Sequence, residues 1–200
     1  LDFIRYPYSG YNSYYGRILK DFGYNPVARD LFKNQYGIDP ADIKNGAPSV
    51  EKDLFNKFRM EQVTEIVRMI NTTVKEKDKN LVISAAVMPR YDRGKNVYFQ
   101  DWPQWLNRGY IDLACVMSYA SKKAVFDEYI DYALRTGNSD KIYMGIQVKK
   151  NTPLKSAHAQ IKTSYENNMR GYILFSFEHN AQFIDKINSL INYRNESYKY

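Results

Sequence analysis

The chain has 200 residues and a formal net charge of +7, from 29 Lys and Arg against 22 Asp and Glu. Hydrophobic residues make up 44% and charged residues 26%, a globular balance that excludes a disordered, collagen-like or coiled-coil chain. No stretch reaches the roughly 18 apolar residues that a membrane-spanning helix needs. The single cysteine, Cys115, excludes an internal disulfide framework and any zinc site built from cysteines.

Tyrosine is in excess, with 19 residues in 200. Basic charge combined with aromatic rings is one pattern of nucleic-acid binding, because Lys and Arg contact phosphates while rings stack on bases. Here the positive charge is spread along the chain, and its densest run, residues 75–79, alternates in sign as solvated helix ends do. We therefore expect no nucleic-acid partner. Tyrosine also suits carbohydrate, since its ring offers an apolar face and a hydroxyl.

The predicted elements alternate between strand and helix. A strand over about residues 1–6 leads through a tyrosine-rich loop to a helix that Asn25 caps, Pro26 begins and Gly37 ends. The further elements, in chain order, are a long helix over 51–77, a strand over 81–87, a short helix over 102–108 with Asp101 as its cap, a strand over 110–118, a helix ending at Gly137, a strand over 141–148, a helix over 152–168, a strand over 171–177 and a helix over 180–193.

Five buried strands alternating with helices predict a parallel α/β sheet. An open nucleotide-binding sheet usually has a glycine-rich turn after its first strand, but this strand leaves through Tyr6-Pro7-Tyr8. The better prediction is about five βα units of a TIM (β/α)8 barrel, with the strands side by side in sequence order. Because the chain starts on a strand without methionine or signal peptide, we expect residues 1–200 to be a single domain, the C-terminal portion of a barrel whose N-terminal strands lie upstream.

Several motifs carry a family resemblance by their order and spacing. They are Leu1-Asp2-Phe3-Ile4-Arg5-Tyr6-Pro7, the helix with Phe58-Arg59 and Val63, and residues 100–106, 109–112, 116–119 and 171–177. Together they resemble the glycosyl-hydrolase-like ten family of bacterial TIM-barrel proteins. The resemblance implies a (β/α)8 barrel, an extracytoplasmic location (periplasmic, secreted or lipoprotein-anchored) and hydrolysis of peptidoglycan or another amino-sugar polysaccharide. Phe3 is a departure, because many members carry a second acidic residue there.

Glycoside hydrolysis usually needs two carboxyl groups, which in a barrel lie at the carboxyl ends of the strands. Two acids fit that position: Asp2 in the first strand and Glu178 just after the last. Side chains alternate along a strand, so Asp2, Ile4 and Tyr6 are expected on one face, pointing into the barrel mouth. We predict Asp2 and Glu178 as the catalytic residues. For Asp2 the alternatives are a structural aspartate paired with a basic group and an exposed residue at the chain terminus, and for Glu178 the alternative is a solvated loop residue.

Six further residues are predicted to bind substrate. Arg5 and Tyr6 belong to the first strand motif, and Gln147 lies near the end of its own strand. Met117-Ser118-Tyr119 is similar to the Met-x-Tyr motif of family eighteen chitinases, in which the tyrosine positions an N-acetyl group; the acid of those enzymes is absent here, because Ile4 stands at its position. Tyr14 and Tyr15 belong to the long loop, for which we predict a mobile wall of a glycan cleft.

No cofactor or metal is expected. His158 has no carboxylate or second histidine at ligand spacing, and His179 alone forms neither a triad nor a zinc site. Two functional classes stay open. The first is a glycosidase with a polysaccharide substrate, and the second is a catalytically silent glycan-binding barrel that keeps the aromatic cleft without a complete acid pair.

Overall fold

A computed structural model describes residues 1–7, 11–12, 17–18, 21–43, 48–148 and 153–176. The chain forms two compact units, Leu1–Asp112 and Leu113–Tyr200. In the described part of the chain, no helix is both long and apolar enough to cross a bilayer.

Of the helices in the described residues, most lie in the first unit. Its elements are an antiparallel pair, β1 (Tyr11–Asn12) and β2 (Arg17–Ile18), then α1 (Pro26–Tyr36), a 3-10 turn (Pro40–Asp42), α2 (Val50–Lys77), β3 (Ser84–Val87), α3 (Tyr91–Tyr98) and α4 (Trp102–Asn107). Helix α1 begins and ends where local chemistry predicts. The Asn25 side chain accepts a hydrogen bond from the Ala28 amide at 3.0 Å, and Gly37 takes the left-handed conformation that closes α1.

Two local predictions need correction. Helix α3 was not expected, because it is only eight residues long, is mostly polar and contains Gly94. Asp101 precedes α4 but makes no side-chain cap; its carboxylate instead pairs with Lys95 at 3.2 Å. Within α2, Val67 is fully buried, whereas Ile66 is half exposed.

The predicted first strand is reduced to its first residue. The Leu1 ammonium donates to the Ser84 carbonyl, and the Leu1 carbonyl accepts from the Ala86 amide at 2.8 Å, so Leu1 lies beside β3 in the parallel pattern. The backbone then turns at Phe3, whose φ is +51°. The strict alternation of faces expected over residues 1–6 therefore does not hold, because a left-handed residue interrupts the extended chain.

The second unit contains a parallel sheet with helices. Its elements are β4 (Leu113–Val116), α5 (Lys123–Leu134), a 3-10 turn (Ser139–Lys141), β5 (Ile142–Gln147), α6 (Leu154–Glu166) and β6 (Gly171–Phe175). Strand β4 pairs with β5, and β5 with β6, both in parallel. Neighbours in sequence are thus neighbours in the sheet, as consecutive βα units predict.

The two faces of this sheet differ in burial. Val116, Met144 and Tyr172 are in register, and the Tyr172 ring meets Tyr165 of α6 edge-on, so this face packs against the helix. The opposite face carries Gln147 and Phe175, which are also in register, and Phe175 is 51% exposed. The open face therefore presents polar and aromatic side chains where the strands end.

Candidate functional site

Asp2 lies directly after the residue that joins β3. Its side chain is exposed, and its Oδ1 accepts a hydrogen bond from the Phe3 amide at 2.8 Å. None of the ion pairs found in the described part of the chain involves Asp2. Among the described residues the carboxylate therefore has no basic partner and is open to a ligand.

Arg5 and Tyr6 are held by the end of α3. The Arg5 guanidinium carbon lies 4.7 Å from the ring centroid of Phe3 and 5.6 Å from that of Tyr98. The Tyr6 amide donates to the Tyr98 carbonyl at 3.0 Å, and its ring meets Phe99 edge-on, with centroids 5.2 Å apart. Both predicted substrate contacts are thus fixed at one place in the first unit, three or four residues beyond Asp2.

Gln100 ties this segment to β3. Its Nε2 donates to the Ile4 carbonyl at 3.2 Å and to the Ala86 carbonyl at 3.3 Å, while its Oε1 accepts from the Met88 amide at 2.8 Å. The side chain is fully buried, and its amide bonds to all three backbone groups, as buried polar groups generally require. Sequence reasoning had included Gln100 in a family motif but had not given it this role.

Burial raises the pKa of the Tyr6 phenol, and the Asp21 carboxylate adds to that rise, whereas the Arg59 charge opposes it. A raised pKa keeps the hydroxyl protonated at neutral pH. Tyr6 can therefore both donate and accept a hydrogen bond, as a sugar contact requires.

Asp92 is a carboxylate that sequence reasoning missed. It follows β3 by five residues, near the carboxyl end where barrel chemistry takes place. Burial acts to raise the pKa of Asp92, but hydrogen bonds from Arg90, at 3.0 Å, and from the Arg93 amide outweigh it and lower the pKa. The group is therefore held ionised, which suits charge stabilisation and not proton donation.

In the second unit, Tyr119 and Phe175 form an aromatic platform. Their rings stack with centroids 5.2 Å apart and an interplanar angle of 25°. Tyr119 follows β4, where three successive amides each donate to the carbonyl two residues back, so the chain curls over the sheet. The Tyr119 ring reaches the space above Gly145, where an added Cβ would stand 3.4 Å from its Cε1.

Gln147 completes this cluster from the central strand. It is in register with Phe175 at the last residues of β5 and β6, so both side chains lie on the open face. The platform and Gln147 together offer an aromatic surface beside an amide. Phe175 was not predicted as a site residue. The pattern that indicates it is its register with Gln147, together with its position two residues after Ile173 on the same open face.

Three predicted site residues, Glu178, Tyr14 and Tyr15, lie outside the described residues. So does part of the tyrosine-rich loop that is predicted as a mobile wall, in which the structure describes the antiparallel pair β1–β2. Within the part that is described, no three His, Cys, Asp or Glu residues come together as a metal site would require.

Comparisons with known proteins agree with the family resemblance. The family model described as Glycosyl hydrolase-like 10 matches residues 11–165. The fold is similar to that of the glycoside hydrolase domain of PgaB (BpsB) from Bordetella bronchiseptica, with a TM-score of 0.66 and 14% identity over 83% of this chain and 51% of that chain. The chain thus spans about half the length of that solved structure.

The expected fold class, α/β and part of a TIM barrel, is confirmed. No curated protein sequence matches the chain significantly.

Proposed function

Since this chain belongs to the glycosyl hydrolase-like 10 family, whose model matches residues 11–165, we propose that it acts as a glycoside hydrolase on a bacterial cell-wall or related amino-sugar polysaccharide. An extracytoplasmic location follows from such a substrate. The observation that carries the proposal beyond the family is the stacked pair Tyr119–Phe175 beside Gln147, at the carboxyl ends of adjacent parallel strands. Binding sites of parallel α/β barrels lie at that end of the strands.

The platform suits a sugar ring. The apolar face of a pyranose packs on an aromatic surface, and Phe175 offers 51% of its surface for that purpose. Gln147 then supplies both a donor and an acceptor to ring hydroxyls or to an N-acetyl group. Tyr6 and Arg5 give comparable contacts in the first unit, and we assign Tyr14 and Tyr15 the same role.

Asp2 supplies the negative charge in the proposed mechanism. An exposed carboxylate with no ion-pair partner among the described residues is able to stabilise an oxocarbenium-like transition state or attack the anomeric carbon as a nucleophile. The partner carboxyl group, which protonates the leaving oxygen, is assigned to Glu178. Asp92 is less suited to proton donation, because Arg90 holds it ionised.

A catalytically silent glycan-binding protein is the second candidate. The observation that favours it is Phe3, which stands where many family members have an additional acid. Its ring is covered by the Arg5 guanidinium at 4.7 Å, so an aromatic–cation contact replaces a carboxylate beside Asp2. Such a protein would bind oligosaccharides with the same aromatic surfaces and cleave none.

The deciding experiment compares the intact protein with its Asp2→Asn variant on purified peptidoglycan strands, with and without stem peptides, and on a chitin oligomer. Release of reducing ends is expected to fall about 100-fold or more, while oligosaccharide affinity changes little, because the charge acts mainly in the transition state. The control is Asp131→Asn, which removes an exposed carboxylate on α5 that has no role in the proposed site.

The outcomes separate the two candidates. Wild-type hydrolysis retained by folded Asp2→Asn protein would remove Asp2 from catalysis. Binding without hydrolysis by the wild type would establish the silent binder, and neither binding nor hydrolysis would contradict both.

A further inference from the structure

Arg59 is a charged side chain in the interior of the first unit. It lies on α2 and is only 2% exposed. The guanidinium carbon lies 4.4 Å from the ring centroid of Phe55 and 4.3 Å from that of Phe99. Its Nε is buried without a partner in the described part of the chain. Burying a charge in this way is costly, so its contacts must account for its presence.

These contacts lead to one short segment, which we call the return segment, Asp21–Tyr24. Arg59 Nη1 donates to the Asp21 carboxylate and, at 2.8 Å, to the Phe22 carbonyl. Asp21 in turn accepts hydrogen bonds from Lys52 and Tyr24, both at 3.0 Å. Burial acts to raise the pKa of Asp21, but Arg59 and Lys52 outweigh it and lower the pKa, so the pair stays charged.

The return segment meets Tyr6 through Gly23. A Cβ built on Gly23 would stand 3.1 Å from Arg59 Cδ and 3.3 Å from Tyr6 Cε1, so the backbone is in close contact with both side chains. Gly23 also has a φ of +99°, a conformation that other residues rarely adopt. A second route joins the same residues, because Phe99 contacts Arg59 on its ring and Tyr6 at its edge.

An apolar side chain would fill this interior at lower cost, since well-packed hydrophobic residues often replace buried ion pairs without loss of stability. An apolar residue, however, makes no directional hydrogen bonds. A planar guanidinium with two fixed donors sets the position of the Asp21 and Phe22 oxygens to within hydrogen-bond geometry. The consequence reaches Tyr6, which is packed between the return segment and Phe99.

We propose that Arg59 is a positioning residue for the candidate glycan site: it fixes the return segment against Tyr6 and so sets the place of the Tyr6 ring for substrate. This inference rests on the proposed function, in which Tyr6 contacts the glycan. Arg59 itself touches no substrate, and its effect on binding passes entirely through Tyr6 and the return segment.

The test uses Arg59→Met, Arg59→Lys and Asp21→Asn in the intact protein. The control is Arg68→Met, which changes an exposed arginine on the same helix that pairs with Glu65. The first readout is the affinity for a soluble peptidoglycan-derived oligosaccharide. We expect about tenfold weaker binding for Arg59→Met, as for other residues that orient a contact side chain, partial recovery for Arg59→Lys, and no change for Arg68→Met.

The second readout is the titration of the Tyr6 phenol, followed by NMR of labelled tyrosine and assigned with Tyr6→Phe. Because Arg59 lowers and Asp21 raises the pKa of Tyr6, Arg59→Met should raise it further and Asp21→Asn should lower it. A general loss of stability would not produce shifts of opposite sign.

The two readouts keep the inferences apart. If the wild type binds no oligosaccharide, the proposed function fails, and opposite shifts of the Tyr6 pKa would then show only that Arg59 and Asp21 act on Tyr6. If the wild type binds, unchanged affinity in folded Arg59→Met protein would overturn the positioning role, whatever the Tyr6 pKa does. If Arg59→Met does not fold, Asp21→Asn and Arg59→Lys decide by the same criteria.

Discussion

The carbonyl oxygen of Val116 occupies the space in which a side chain on Gly145 would begin. A Cβ built on Gly145 would stand 2.6 Å from that oxygen, closer than real Cβ atoms approach backbone. Ser118, fully buried, adds a hydrogen bond from its Oγ to the Gly145 carbonyl at 2.9 Å. The absence of a side chain at one position of β5 therefore allows the end of β4 to close over it and carry Tyr119 to Phe175.

Replacing Gly145 with alanine should push β4 away from β5. We expect a loss of about 1–3 kcal/mol in the free energy of unfolding, the usual cost of overpacking, because backbone cannot yield as a flexible side chain does. Urea unfolding measures this loss. Gly94→Ala is the matched control: its nearest contacts are at 3.4 Å, and it lies inside α3, where alanine is the better helix former. Equal stability of the two variants would contradict the close contact.

Removing the Phe175 ring should weaken glycan binding with little cost in stability. The side chain is half exposed, so Phe175→Ala should lower the free energy of unfolding by less than about 1 kcal/mol. Loss of the stacking surface should raise the Kd for an oligosaccharide about tenfold, which calorimetry measures.

Tyr172→Ala is its control on the same strand. Tyr172 faces α6 and contacts Tyr165, so this change should lower stability and leave the affinity of the folded protein unaltered. If Tyr172→Ala lost affinity for the oligosaccharide and Phe175→Ala kept it, the glycan would not bind on the platform.

Gln100→Leu should destabilise the first unit strongly. The substitution keeps the volume but leaves the Ile4 and Ala86 carbonyls and the Met88 amide without their buried partner. Unsatisfied buried groups cost about 1–3 kcal/mol each, although water entry reduces the sum, so we expect a loss of about 2–4 kcal/mol. Thermal unfolding with Gln104→Leu on α4 as control measures it, and a similar melting temperature for both variants would contradict the role of Gln100.

The Arg29–Asp39 pair should make the stability of the fold depend on pH in the acid range. Hydrogen bonds from Arg29 and from the Ala41 amide lower the pKa of Asp39 to about 2, from an ordinary value of 3.8. A lowered pKa in the folded state means that the contribution is present above the unfolded value of 3.8 and is lost as the pH falls through about 2.

Melting temperatures between pH 5 and pH 2 test this sign. Asp39→Asn and Arg29→Met should each flatten the decline, because either change removes one member of the bidentate pair. A decline as steep as that of the wild type in both variants would show that other carboxylates account for the acid sensitivity.

Much of the fold could be predicted from local patterns. Helix α1 begins at Asn25 and ends at Gly37 as expected, because capping depends on residues within one turn of the helix. The later strands lie within their predicted ranges, since continuous apolar runs bounded by turns identify buried strands. Tyr119 and Gln147 were placed correctly at strand ends for the same reason.

The sequence by itself thus determined the α/β class, the order of the later strands and helices, and the place of Tyr119 and Gln147 near strand ends. Only the tertiary structure decided that the chain turns at Phe3, that Gln100 and Arg59 reach across the first unit, and that Phe175 stacks on Tyr119. Periodicity and capping act over a few residues. The contacts Arg59–Asp21 and Gln100–Ile4, by contrast, join residues that are 38 and 96 positions apart in the sequence. Such pairs are selected by packing and by the need to satisfy buried polar groups, neither of which leaves a local pattern in the chain.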